Sequence, residues 1–168
     1  RNGLDVLTRL PASDLRARAE LELQGTLAAG LLATIGNAAE ETGRAYARAR
    51  ALCEECGDTG TLAPILGGLC THHQTRGEFA SLRQVALELL RLGGEDAACE
   101  LIGSRSMALC LFHVGDLVSA REHLERVLRV YRPEAHGALT SVAAFDMRAV
   151  ALSYLALYPH FNDMTRGA

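Results

Sequence analysis

Between Leu117 and Tyr131 the apolar residues fall at steps of three and four: Leu117, Ala120, Leu124, Val127, Leu128 and Tyr131. That spacing places all six on one stripe of an α-helix, with Arg121, Glu122, Glu125, Arg126 and Arg129 on its wet side. A stripe needs a partner, and the preceding segment from Ser104 supplies one through Ala108, Leu111 and Phe112. Gly115 and Asp116 form the turn between the two helices, Gly as a left-handed cap and Asp as the cap of the helix that follows. Shifting the stripe back by 38 residues lands on Phe79, Leu82, Ala86, Leu89, Leu90 and Gly93, and carries Gly115 onto Gly77. A further shift of 37 lands on Ala45, Ala49, Leu52, Cys53 and Cys56. Matched helices at a period in the high thirties predict a helix-turn-helix solenoid, in which each unit buries its face on its neighbours.

Along the chain, a short helix is expected around Leu4–Leu10, interrupted by Pro11, with Ser13 or Asp14 capping the next. From there to Ile35 the run Leu15, Ala19, Leu23, Leu27, Leu31 reads as a helical stripe, with Gly25 and Gly30 permitting close helix packing. Residues 38–56 form its partner, with Arg44, Arg48 and Arg50 outside, and Gly57 stops it. The second unit starts at Thr61, turns at Gly77 and ends at Gly93 and Gly94; the third runs from about Glu95 to Tyr131 and is closed by Pro133. After a looser stretch over 134–144, Asp146 caps a last helix carrying Val150, Tyr154 and Leu157 until Pro159 ends it. No sustained alternation of period two occurs, so the expectation is an all-α fold without β structure.

Composition narrows the class. With 168 residues, 49% apolar, 22% charged and a net charge of −3, the chain is long enough to bury a sizeable core as one domain. All 17 basic residues are Arg, and none forms the basic block that phosphate binding requires, which argues against direct nucleic-acid contact. No apolar run is long enough to span a membrane and no export signal opens the chain, so a cytoplasmic location is expected. A start at Arg1 without Met and an end at Ala168 without a closing feature read as a fragment of a longer protein.

The turn motifs Gly-Glu-Phe (77–79) and Gly-Asp-Leu (115–117), with the small Ala120 three positions further on, resemble tetratricopeptide repeats. More narrowly, RAYARARALCEECGD (44–58) and GDLVSAREHLERVLRVYRPEAH (115–136) are similar to the repeat region of large bacterial signalling proteins. In those proteins a predicted ATPase domain of the STAND type precedes the repeats, and a winged-helix regulator or a class III nucleotide cyclase domain stands at the N-terminus; FDMR at 145–148 favours the former. The resemblance covers about residues 14–158. It implies a tetratricopeptide-like α-solenoid of about three and a half antiparallel helix pairs in a right-handed superhelix, with repeats about 14–57, 61–94, 95–133 and a partial 145–168. Leu82 departs from the pattern where Ala is usual, as does Leu157 where a turn Gly is expected.

Candidate chemistry adds little. Cys53 and Cys56 form a C-x-x-C followed by Cys70, His72 and His73, a donor set that zinc could use. Cys53 and Cys56 share the apolar stripe of Ala49 and Leu52, however, so they read as small core residues, and neither metal nor cofactor is expected. His123 reads as an outward-facing residue beside Glu122, and His113 stands near a turn without a nucleophile pattern. No phosphate-cradling glycine loop occurs, so any ATPase or cyclase activity belongs to other domains and the chain is expected not to be an enzyme.

By the resemblance, the first helices of the pairs line a binding groove, which falls on Thr71, Gln74 and Thr75 in the second unit and on Ile102, Arg105, Leu109 and His113 in the third. Phe112 belongs to the core. The expected function is a non-catalytic protein–protein or interdomain interaction and sensor module of a bacterial signalling or transcription regulator. Its partner would be a protein, a peptide or another domain of the same chain, with no direct nucleic acid and no membrane. The alternative is a small-molecule effector site within the superhelix groove, which an enclosed apolar pocket would favour. Because the last helix lacks a partner, it is expected either to be covered by the segment from Phe161 to Met164 folding back or to self-associate.

Overall fold

The computed structural model describes residues 2–7, 9–94, 96–137 and 146–166, with residues 2 and 158–166 described by backbone alone. Among them every regular element is a helix and none is a strand, so the protein is all-α. The chain divides into two compact units, Arg1–Glu78 and Phe79–Ala168. Their boundary falls at the Gly77 turn, inside the second of the expected repeats.

The first unit holds α1 (Asn2–Leu7), α2 (Asp14–Ile35), α3 (Glu40–Cys56) and α4 (Leu62–Thr75). Ser13 caps α2, its hydroxyl accepting from the Arg16 N–H at 3.2 Å, and Gly36 and Gly57 end α2 and α3 at φ 87° and 64°, values that favour glycine. Helix α3 packs on both α2 and α4. Leu21, Ala49, Leu52, Cys53 and Ile65 form the core, with Ala17, Tyr46 and Leu62 against it.

Helix α2 runs to Ile35 as expected, but the spaced leucines are not its buried face, and its glycines do not act as expected. Leu15 is 79% exposed and Leu23 36%, while Leu21 and Ala28 are buried. Steps of four residues drift about 40° each around a helix, so a run of five such residues cannot stay on one face. Gly25 and Gly30 do not serve close packing either, since a Cβ on either would meet nothing within 4 Å. In this unit Gly43 and Gly68 do, since a Cβ on them would collide with the rings of His72 and Tyr46.

The second unit holds α5 (Phe79–Leu92), α6 (Ala97–His113), α7 (Leu117–Val130), a single turn α8 (Pro133–His136) and α9 (Met147–Arg166). Helix α6 packs on α5 and α7, and α9 packs on α7 with a smaller contact to α6. Burial follows the 38-residue shift residue by residue. Leu82, Ala86, Leu89 and Gly93 are buried with Phe79 and Leu90 half-buried, and Ala120, Leu124, Val127 and Tyr131 are buried with Leu117 and Leu128 half-buried. In α3 the matched Ala45, Ala49, Leu52 and Cys53 are buried as well. Asp116 caps α7 by accepting from the Ser119 N–H at 3.1 Å.

The C-terminal segment differs from expectation. Asp146 does cap the last helix, accepting from the N–H groups of Arg148 and Ala149 at 2.7 and 3.0 Å. Pro159 does not end it, because α9 continues to Arg166. A proline removes one N–H and crowds the carbonyl four residues back, a local cost of about 3 kcal/mol that a helix can carry without stopping. The backbone over 161–164 is therefore helical and does not fold back. The face turned inward is Met147 and Ala151, with Tyr154 edge-on to Phe112 at 5.0 Å between ring centroids, whereas Leu157 is 43% exposed. Pro133 opens α8 instead of leaving an irregular stretch; residues 138–144 of that stretch lie outside the described residues.

Candidate interaction surface

The seven expected groove residues divide between the two units. In α4, Thr71 and Gln74 are half-buried and Thr75 is exposed. The two threonines turn their hydroxyls onto their own helix, Thr71 donating to the Gly67 carbonyl at 3.0 Å and Thr75 to the Thr71 carbonyl at 2.6 Å. In α6, Ile102, Arg105 and Leu109 are each about 2% exposed and line no open groove. The physical reason is that α6 is packed by α5, α7 and α9 on several sides, so that every residue from Leu101 to Cys110 is buried, the polar Ser104, Arg105 and Ser106 included. Only His113 of this group is exposed, its Nδ1 donating to the Leu109 carbonyl at 2.7 Å and its ring stacked on Phe79 at 4.9 Å.

His123 also departs from expectation. It is half-buried beside a surface depression of about 290 Å³ lined by Glu122, Glu125, Arg126 and Arg129. Burial, and then Arg126, push its pKa down, with Glu122 opposing. Its Nδ1 has no partner among the described residues.

Between α2 and α3 lies a surface that combines apolar and polar residues. Leu27, Leu31 and Ala45 form the floor of a depression of about 310 Å³, and Gln24, Glu41, Arg44 and Arg48 form its rim. Arg48 is shared with a neighbouring depression of about 430 Å³ that includes Arg16, Glu20 and Glu55. Its guanidinium is fixed between two carboxylates, Nε to Glu20 at 2.7 Å and Nη1 to Glu55 at 3.1 Å. The hydrogen bond from Arg48 holds the Glu20 carboxyl below its usual range, and the same bond raises Arg48. Sequence reasoning missed this groove because the helical spacing of the leucines in α2 does not show which of them stay at the surface. Arg44 is exposed and Arg48 half-buried, in line with their outward reading.

A second polar arrangement closes α4. His72, 7% exposed, donates from Nδ1 to the Asn37 carbonyl at 2.6 Å, and Arg76 reaches the Ala38 carbonyl at 3.2 Å, so the end of α4 is fastened to the α2–α3 turn. Glu78, just after Gly77, takes His73 Nδ1 on one oxygen at 2.7 Å and Arg76 Nε on the other at 2.5 Å. Arg76, and then His73, hold the Glu78 carboxyl down at about 2 from an ordinary 4.5. A carboxyl depressed in the folded state stabilises it above the unfolded value, and that contribution is lost as pH falls from about 4.5 towards about 2. Glu78→Gln is therefore expected to flatten the acid limb of stability in that window. Denaturant midpoints at pH 6, 4 and 3 measure it, and an unchanged slope in the variant counts against the Glu78 contacts.

The cysteines do not join this arrangement. Cys53, Cys70, Cys99 and Cys110 are buried and Cys56 half-buried, all as free thiols. Burial pushes up the thiols of Cys53 and Cys110 and takes Cys99 to about 12, which disfavours the reactive thiolate. Among the described residues the metal-donor group that the fold assembles is His72, His73 and Glu78, without a cysteine. No helix among the described residues is long and apolar enough to cross a membrane. No protein-family model matches the chain, and no curated protein or solved structure matches it either.

Proposed function

We propose that this chain is a non-catalytic interaction and sensor module, a right-handed tetratricopeptide-like solenoid of about three and a half helix pairs within a cytoplasmic bacterial signalling or transcription regulator. Its partner is a peptide, a protein or another domain of the same polypeptide. The observation that carries the reading is the α2–α3 groove, where Leu27, Leu31 and Ala45 lie beneath a rim of Glu41, Arg44 and Arg48. An apolar floor inside a charged rim is the anatomy of a protein-docking surface, and an arginine already held by two carboxylates loses little freedom on binding. The recurrence of one burial register in α5 and α7 supports the repeat reading. The depressions on this surface are shallow and charged, which favours a macromolecular partner over an enclosed small molecule.

Selection of a displayed peptide library against the chain tests this. Peptides are expected to bind in the α2–α3 groove, and Leu31→Asp and Arg44→Glu are each expected to weaken binding by about tenfold or more with helical content unchanged. Peptides indifferent to both substitutions sink the groove. A metabolite that raises the melting temperature while no peptide binds favours the effector-sensor alternative.

A further inference from the structure

Three donor side chains meet where α4 runs into the Gly77 turn, at a place separate from the docking groove and independent of its reading. One ring nitrogen each from His72 and His73 and one carboxylate oxygen of Glu78 all lie within 4.8 Å of one another. Two imidazoles and a carboxylate suit zinc and the first-row transition metals, and in a four-coordinate site they leave one position for water.

Neighbouring residues on a helix project about 100° apart, so adjacent histidines share a ligand only if something outside the helix sets their rings. Here something does. The Nδ1–H of His72 is spent on the Asn37 carbonyl at 2.6 Å. That bond puts the proton on Nδ1 and leaves Nε2 as the basic nitrogen, which is how ligating imidazoles are oriented by their outer partners. Gly43 of α3 lies against the same ring. A Cβ there would meet Nε2, Cε1 and Cδ2 together, all within 2.9 Å, which places α3 over the ring face and leaves the in-plane lone pair of Nε2 clear of it. His72 is thus a fixed point, 7% exposed.

The other two donors can move. The side chains of His73 and Glu78 are 20% and 36% exposed, and Gly77 between them has φ 71°. Donors on a single tetrahedral zinc stand about 3.4 Å apart, so closing the present spread takes a shift of roughly 1.4 Å, within the reach of rotations about their side-chain bonds.

We infer that His72, His73 and Glu78, brought together at the end of α4, form a binding site for a divalent transition-metal ion of the zinc class. His72 is the fixed ligand and His73 and Glu78 close on the ion. The hydrogen bond between His73 and Glu78 is exchanged for one bond from each to the metal, and the neutral imidazole of His73 keeps its single proton on the ring nitrogen turned away from the ion. Arg76 stays on the second oxygen of Glu78, where it orients the carboxylate and, as a positive charge nearby, limits affinity. Occupation would tie α4 to the Gly77 turn and, through Asn37, to the α2–α3 turn.

The test is titration of the metal-stripped intact chain with zinc chloride and with cobalt chloride, followed by calorimetry and the visible cobalt spectrum. The expected result is saturable binding of one ion per chain with a raised melting temperature. His73→Ala and Glu78→Gln are each expected to weaken it by about tenfold or more, while replacing Cys53 and Cys56 together by Ser leaves it unchanged. Absence of saturable binding overturns the site, as does binding that survives His73→Ala but is lost with the two cysteines. Should either ligand variant lose its helical circular dichroism, paramagnetic broadening by cobalt in the unaltered chain decides. Broadening confined to His72 and His73 among the histidine rings supports the site, and broadening elsewhere or nowhere overturns it.

Discussion

Leu124→Asp is expected to unfold the chain or to lower its melting temperature by far more than any surface change. Leu124 is fully buried on the inward stripe of α7, between Ala120 and Val127, which are equally buried. Removing the side chain alone, as in Leu124→Ala, costs about 2 to 5 kcal/mol through lost transfer energy and the cavity left behind. A carboxylate adds the expense of burying a polar or charged group without a partner, several kcal/mol more. Folded domains of this size hold only about 5 to 15 kcal/mol in all, so the variant exhausts most of that margin. Ala86, which the 38-residue shift matches to Leu124, is also fully buried, and Ala86→Asp is expected to behave alike. Val118 on the same helix as Leu124 is 74% exposed, and Val118→Asp should leave the melting temperature within a few degrees. Thermal denaturation followed by circular dichroism compares the three. Equal melting temperatures for Leu124→Asp and Val118→Asp would falsify the register.

Substituting two glycines of the first unit should move stability in opposite directions. A Cβ at Gly25 meets nothing within 4 Å, so Gly25→Ala gains helix propensity without a clash and should stabilise by up to about 1 kcal/mol. A Cβ at Gly68 collides with the ring of Tyr46, which packs against the core of Leu21, Leu52 and Ile65. Tyr46 cannot swing away without opening that core, and Gly68→Ala should cost about 1 to 3 kcal/mol, as overpacking does. Denaturant midpoints read both. A stabilised Gly68→Ala protein would mean that α3 and α4 approach less closely than described.

Both glycines sit inside helices, and nothing in the residues around them tells one from the other. That contrast marks how far the chain is legible. The helical class, the period of 37 to 38 residues, the turn at Gly115 and the caps at Ser13, Asp116 and Asp146 could all be read from local patterns, because each depends on residues within a few positions of one another. The C-x-x-C stripe was readable for the same reason, since Cys53 lies on the buried face of α3.

What needed tertiary structure is each feature set by contact between distant segments. The leucines of α2 carry no mark of which neighbour covers them, and the helix turns Leu21 inward and leaves Leu15 in water. Arg105 falls in the groove by the resemblance of α6 to the first helix of a repeat, yet α6 is packed on several sides and buries it. The last helix continues past Pro159, which a local rule treats as a stop. The donor group of His72, His73 and Glu78 spans a left-handed turn, and its fixed member depends on the Asn37 carbonyl 35 positions earlier in the chain. By itself the sequence determined which faces of the repeated helices are apolar and where most of the helices begin and end, because periodicity and capping are short-range. Which face meets which helix, and which polar groups converge, was decided only in the folded chain, where packing and long-range hydrogen bonds select among faces that local pattern leaves equivalent.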